Sequence, residues 1–355
     1  MFEQPIPTLR RDGDAVLILD QTALPFRAET LRLATLADAA RAIRDMQVRG
    51  APLIGATAAH GVALALLHDS GDPALEHALQ ALAATRPTAV NLHWALARMA
   101  KLLRPLPAGD RLAAAWAEAE AIRTDDAATC DAIGRHGLTL IETIATRRPG
   151  PVRLMTHCNA GWLATCGAGT ALAPVYAAQA AGVAVEVFVS ETRPRNQGLL
   201  TAWELAAAGV PHTLIADNAA GLLLMRGEID LVITGADRIA ANGDTANKVG
   251  TWLKALAAQA SGVPFYIAAP HSTLDFGCAD GPSIPIEDRG AAELCMLRGI
   301  DASGGLAELR QAAPGTRVAN PAFDITPASL ITAIITERGI TVPGQLASLY
   351  PEAAR

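Results

Sequence analysis

From Val152 onward the chain alternates short β-branched runs with alanine-rich runs, and this alternation restricts the fold more than any other feature. The strand-like runs are 152–156, 183–189, 212–215, 231–234 and 265–269. Between them, 170–181, 200–208, 218–226 and 246–260 read as helices. Strands alternating with helices in this way build a parallel sheet covered on both faces, the α/β class. Ligands of such sheets sit at the carboxyl ends of the strands.

Upstream the texture differs. The first thirty residues, with Ala15-Val16-Leu17-Ile18-Leu19 at their centre, predict a small antiparallel sheet or hairpin. From 35 to about 146 alanine and leucine recur at helical spacing, with breaks at Gly50-Ala51-Pro52, Ser70-Gly71-Asp72-Pro73, Arg86-Pro87 and Pro105-Leu106-Pro107. Asp72 is the expected cap of the helix that Pro73 opens. The break at Arg147-Arg148-Pro149-Gly150-Pro151 divides the chain into a β-capped, mainly helical domain, 1–146, and a sheet domain, 147–355.

Composition removes several classes. With 51% hydrophobic and 18% charged residues, the chain is too apolar for disorder. A net charge of −6, from 29 basic and 35 acidic residues over 355 positions, leaves no general footprint for nucleic acid or an anionic membrane. The most apolar stretch, 171–190, is interrupted by Pro174, Gln179, Gly182 and Glu186, so it reads as helix, turn and strand rather than a span. The N-terminus has no apolar signal core. The five cysteines, at 130, 158, 166, 278 and 295, are odd in number and scattered, as expected of free thiols in a reducing cytoplasm. Without a CxxC pair or an HExxH, no metal site is expected.

Polar residues cluster after the strands: Thr156-His157-Cys158-Asn159-Ala160-Gly161, the segment from Ser190 to Gly198, Gly235-Ala236-Asp237-Arg238, the segment from Asn242 to Lys248, and Pro270-His271-Ser272-Thr273. Cys158 is either a small buried hydrophobe or a thiol at a strand end, where following backbone N–H groups stabilise a thiolate. At the reference pKa of ~8.5 only about 3% is thiolate at pH 7. Asp237 is either a loop acid or a desolvated one. To act as an acid near neutrality it must rise roughly 3 units, which costs about 4 kcal/mol and requires a closed pocket. Arg49-Gly50-Ala51-Pro52 reads as a plain turn or as an anion site at a helix start, and Arg86-Pro87-Thr88 offers the same chemistry. Asn247-Lys248 adds a donor at a further helix start, or a solvated lysine. Two motifs fail. Aligned on Lys248, the loop lacks both glycines and the hydroxyl residue of a phosphate-binding loop. Gly167-Ala168-Gly169 has Leu172 where a dinucleotide fingerprint needs a small residue, and it lies too far from its strand.

Arg49-Gly50-Ala51-Pro52, Arg86-Pro87-Thr88-Ala89-Val90-Asn91-Leu92, Thr156-His157-Cys158-Asn159-Ala160-Gly161, Glu191-Thr192-Arg193-Pro194, Thr201-Ala202-Trp203-Glu204-Leu205, Thr234-Gly235-Ala236-Asp237-Arg238-Ile239, Asn242-Gly243-Asp244, Asn247-Lys248-Val249-Gly250-Thr251, Ile284-Pro285-Ile286-Glu287 and the run from Asn320 to Pro327 occur in that order. The ordered set resembles the S-methyl-5-thioribose-1-phosphate isomerase family over nearly the whole chain. The resemblance implies a small N-terminal domain, a Rossmann-like C-terminal domain, a cleft between them and a homodimer. It implies Cys158 and Asp237 as the catalytic pair and substrate contacts from Arg49, Gly50, Ala51, Arg86, Gln197, Asn247 and Lys248. A small phosphorylated sugar is the expected partner, with no cofactor, no nucleic acid and no membrane. The chain is one residue shorter than the family between Gln197-Gly198 and Leu200, which bears on where Gln197 falls. Related isomerases act on other sugar 1-phosphates, such as 5-deoxyribose 1-phosphate or ribose 1,5-bisphosphate. Non-catalytic regulatory subunits of a translation-initiation exchange factor share the fold, and they are expected to lack the Cys158/Asp237 combination.

Overall fold

The structure is a computed structural model that describes residues 4–353. Strands β1 (Leu9–Asp12), β2 (Ala15–Leu19) and β3 (Thr30–Leu33) form an antiparallel sheet. Helices α1 (Leu36–Arg44), α2 (Ala51–Ala65), α3 (Asp72–Ala83) and α4 (Val90–Leu103) follow, and then the 38-residue α5 (Ala108–Ala145). Twelve of the fifteen residues of α2 are buried, so it is the axis around which α1, α3, α4 and α5 pack. Asp72 does not cap α3. It is the first helical residue, Gly71 is the cap without a side-chain bond, and Asp72 instead pairs with Arg111 at 2.5 Å.

The second part alternates β4 (Val152–Thr156), α6 (Ala173–Ala180), β5 (Val185–Ser190), α7 (Gln197–Ala207), β6 (His212–Ile215), α8 (Ala219–Met225) and β7 (Leu231–Thr234). Then come β8 (Arg238–Ala240), β9 (Thr245–Lys248), α9 (Thr251–Ala260), β10 (Phe265–Ala268), β11 (Leu274–Asp275), α10 (Ala291–Cys295), the hairpin β12 (Met296–Ile300) and β13 (Leu306–Arg310), β14 (Phe323–Thr326), β15 (Ala333–Thr336) and β16 (Gly339–Thr341). The main sheet has the order β16-β15-β10-β7-β4-β5-β6, parallel except for β16. Its strands read as continuous apolar runs because both faces are covered. Leu154, Val187, Leu231 and Ile233 face α6, α7 and the second half of α5. Met155, Phe188, Val232 and Ile267 face α8 and α9. Core residues of α5 up to Ile122 belong to the helical layer, and those from Cys130 onward to the sheet.

Two further expectations are corrected. The helix expected over 246–260 begins only at Thr251, because Thr245–Lys248 is a strand paired antiparallel with β8 and β14 in a second sheet, β11-β8-β9-β14. The helix expected over 170–181 is shorter, Ala173–Ala180, since Pro174 fits only its first turn. Among the described residues, no helix is long and apolar enough to cross a membrane.

Candidate active site

The main sheet runs outward from its centre in two directions, β4 to β5 to β6 and β7 to β10 to β15. The strand order therefore reverses between the neighbours β4 and β7, where an open parallel sheet leaves a crevice at its carboxyl edge. Cys158 leaves β4 after His157, and Asp237 leaves β7 after Gly235-Ala236. A Cβ on Gly235 would stand 2.8 Å from that of Ala160, so the missing side chain lets the two loops close on each other.

All nine residues singled out from the sequence, namely Cys158, Asp237, Arg49, Gly50, Ala51, Arg86, Gln197, Asn247 and Lys248, line one cavity of about 1240 Å³ counted out to its mouth. Its floor is the sheet edge. Its opposite wall is the start of α2, capped by Gly50, together with the turn before α4. Gln197 is the first residue of α7, buried, with its Oε1 unpartnered. Asn247 and Lys248 do not open a helix as expected; they reach the cavity from β9, where Asn247 Nδ2 donates to Thr251 Oγ1 at 3.0 Å.

Charge in this cavity is mostly positive. Arg49, Arg86 and Lys248 are joined by Arg195 and Arg289, which sequence reasoning passed over. Arg195 pairs with Glu293 at 2.8 Å and Arg289 with Glu287 at 2.7 Å, whereas Arg49, Arg86 and Lys248 form no salt bridge among the described residues. The Nε atoms of Arg49, Arg86 and Arg289 are buried and unpartnered. Burial brings the Arg49 guanidinium down to about 10, with Arg195 adding to the fall; it stays charged near neutrality. Burial also lowers Arg86 and Lys248, and Lys248 lies 4.6 Å above the Phe323 ring. A cluster of buried cations with free N–H donors is built to hold a small anion.

The two reactive groups respond to the same surroundings. Burial pushes the Cys158 thiol up to about 11; Lys248, the Asn159 N–H and Arg49 pull it down, and the Asp237 charge adds to the rise. Of the two readings of Cys158, desolvation therefore outweighs the thiolate that backbone N–H groups would stabilise, and no helix follows directly, only a single 3₁₀ turn at Trp162–Ala164. Asp237 is also raised by burial, while Lys248, Arg86 and Arg289 oppose the rise. Its direction is the one an acid needs, and an anion bound against those three cations would remove their opposition. A thiol and a carboxyl stand on neighbouring strand ends, opposite an anion cradle. That arrangement can deliver a proton to one atom of a phosphorylated ligand while the phosphate is held.

The initiation factor 2 subunit family matches residues 47–343. The chain is 61% identical to a methylthioribose-1-phosphate isomerase of Dechloromonas aromatica, over 99% of this chain and 98% of that protein. Its fold is similar to a crystal structure of 5-methylthioribose 1-phosphate isomerase from Pyrococcus horikoshii OT3, with TM-score 0.84 and 36% identity over 98% and 97% of the two chains. It is also similar to the translation initiation factor eIF-2B, subunit delta, from A. fulgidus, with TM-score 0.80 and 34% identity over 98% and 99%.

Proposed function

The chain belongs to the initiation factor 2 subunit family, and on that premise we propose that it is an aldose–ketose isomerase. It converts S-methyl-5-thio-α-D-ribose 1-phosphate to S-methyl-5-thio-D-ribulose 1-phosphate, a step of methionine salvage. The observation that carries the reading is the meeting of Cys158 and Asp237 in one cation-lined cavity. Relatives 52–61% identical over nearly their full length, named methylthioribose-1-phosphate isomerase, support it.

The substrate's anomeric oxygen carries phosphate, so the sugar cannot open to a free aldehyde. The C1–O4 ring bond must break while a hydrogen moves from C2 to C1. Asp237 gives its proton to O4 as that bond breaks. In one route hydride passes from C2 to C1, the C2 hydroxyl proton returns to the Asp237 carboxylate, and C2 becomes the carbonyl. In the other, Cys158 as thiolate takes the C2 proton, an enol phosphate forms, and the thiol returns the proton to C1 while the C2 hydroxyl proton returns to the Asp237 carboxylate. A thiol at about 11 adds about 5 kcal/mol to the second route at pH 7 and nothing to the first. This favours the hydride shift, with Cys158 shaping the pocket around C1 and C2. Arg49, Arg86 and Lys248 hold the phosphate, with Gly50, Ala51, Gln197 and Asn247 around the sugar. Phosphate binding closes the cleft and keeps Asp237 protonated.

The same reading gives a division at 146/147 into a helical domain and a Rossmann-like domain, a homodimer, and a place in the cytoplasm. A second reading, a non-catalytic regulatory subunit, is favoured by the similarity to the translation initiation factor from A. fulgidus. Turnover separates them. Purified protein is expected to form the ketose 1-phosphate from the methylthio sugar faster than from 5-deoxyribose 1-phosphate or ribose 1,5-bisphosphate. No ketose from any of the three would favour the regulatory reading, and preference for another sugar would reassign the substrate.

A further inference from the structure

Behind the Cys158 turn lies a carboxyl group that the reaction above does not use. Glu204 is fully buried on α7, three residues after Thr201 and therefore on the same helix face. Thr201 Oγ1 donates to the Cys158 carbonyl at 2.8 Å and accepts from Asn159 Nδ2 at 3.1 Å, while Glu204 Oε2 accepts from the Leu163 N–H at 3.0 Å. On the other side, the Cys158 N–H donates to Thr192 Oγ1 at 2.9 Å. Cys158 itself has φ +68°, a left-handed conformation uncommon for a residue with a side chain, which persists only where the surroundings impose it. The Glu204 carboxyl presses directly on this turn: a Cβ on Gly161 would lie 1.5 Å from its Oε1, which has no hydrogen-bond partner.

We propose that Glu204 is a positioning residue that holds the turn from Cys158 to Leu163 against α7 and so fixes the thiol at the substrate. The proposal rests on the isomerase reading for its kinetic readout only. Burial pushes Glu204 up to about 8, against the hydrogen bond from the Leu163 N–H and the nearby Asn159 amide, both of which pull it down. At pH 7 the group is thus mostly an uncharged acid. Above pH 8 it becomes a carboxylate within the core, where its charge loosens the turn it braces. Among the described residues, the titratable side chain facing it is Tyr176 from α6, whose ionisation it opposes. Lys254, brought down to about 8, lies against Asp217 at 3.9 Å and not against Glu204.

The test compares wild type with Glu204→Gln and Glu204→Ala between pH 7 and pH 9. The amide keeps the shape and the acceptor oxygen but cannot ionise, so Glu204→Gln is expected within about fivefold of wild-type kcat at pH 7. The ratio of its kcat to that of wild type then rises about tenfold by pH 9, as the protonated fraction of Glu204 falls through a pKa near 8. Taking the ratio cancels Lys254 and Cys158, which both proteins share. Glu204→Ala is expected to lose kcat at least tenfold with KM within threefold; if it fails to fold, the glutamine comparison decides alone. A flat ratio between pH 7 and 9, or a glutamine variant as damaged as the alanine one, overturns the proposal. Should the protein turn over no sugar phosphate, iodoacetamide labelling of Cys158, read by peptide mass spectrometry, replaces the rate. The other four cysteines are buried. The labelling ratio of Glu204→Gln to wild type is then expected to change severalfold between pH 7 and 9, and a constant ratio overturns the proposal independently of the isomerase reading.

Discussion

Replacing Asp237 by asparagine removes one proton and almost no volume. The backbone bond from the Asp237 N–H to the Ala246 carbonyl, 2.9 Å, is untouched by the change. Asparagine cannot protonate O4 of the sugar, and a positioned general acid is worth about 10²- to 10⁴-fold, or roughly 3–5 kcal/mol of barrier. Stability moves the other way. The Asp237 carboxyl is raised in the folded protein, so the fold binds its proton more tightly than the unfolded chain does. Its contribution is present below the unfolded pKa of about 3.8 and falls as pH rises through the folded value. Near neutrality, the always-neutral amide is therefore no less stabilising than the acid. The expected outcome for Asp237→Asn at pH 7.5 is kcat reduced at least a hundredfold, KM within a fewfold, and a Tm equal to or above that of wild type by calorimetry. A kcat within tenfold of wild type would refute the role of the acid, and a lower Tm would refute the burial argument for its pKa.

Four further outcomes follow. Cys158→Ser should lower turnover only about tenfold with the circular dichroism spectrum unchanged, because a smaller, polar hydroxyl fills the pocket around C1 and C2 less well; a loss of several orders of magnitude would instead make the thiol the base. Run in D₂O, the reaction should leave C1 of the ketose largely free of deuterium by mass spectrometry; abundant label would contradict the hydride shift. Arg86→Ala should weaken product binding by about 10- to 100-fold, the worth of a hydrogen bond between charged groups, and calorimetry showing under twofold would place the phosphate elsewhere. Asp126, raised to about 6 by burial while accepting the Cys166 N–H at 2.7 Å, destabilises the fold progressively from about pH 4 to pH 6. Asp126→Asn should therefore raise Tm at pH 7.5, by up to about 3 kcal/mol in stability, with the gain gone below pH 4 in melts across that range.

The strands of the main sheet were legible because burial on both faces makes each a continuous apolar run, as in Leu231–Thr234. Since βα units put their loops at one edge, the sequence places Cys158 and Asp237 at the same sheet edge. The second sheet was not legible. Its strands are two to four residues long, and Thr245–Lys248 is parted from the alanine-rich α9 only by Val249-Gly250, a break too short for periodicity to separate a strand from a helix. The sequence thus points Lys248 to the cavity from a helix start, whereas the fold brings it there on β9. Arg195 sits inside the loop singled out after β5, but its cavity-facing role depends on its pairing with Glu293, 98 residues away. Arg289 lies in an irregular segment, and no local pattern connects it to Arg86. The sequence leaves Cys158 open between a buried hydrophobe and a stabilised thiolate, since following N–H groups favour a thiolate while burial cannot be weighed locally; desolvation by surrounding chain prevails.

A crystal structure of the protein with the ketose 1-phosphate bound reads the account at its centre. It is expected to show the phosphate oxygens on the free N–H groups of Arg49 and Arg86 and on Lys248 Nζ, with C1 and C2 of the sugar lying between the Cys158 Sγ and the Asp237 carboxyl. A phosphate seated away from those cations, or a sugar chain that neither Cys158 nor Asp237 touches, would contradict it.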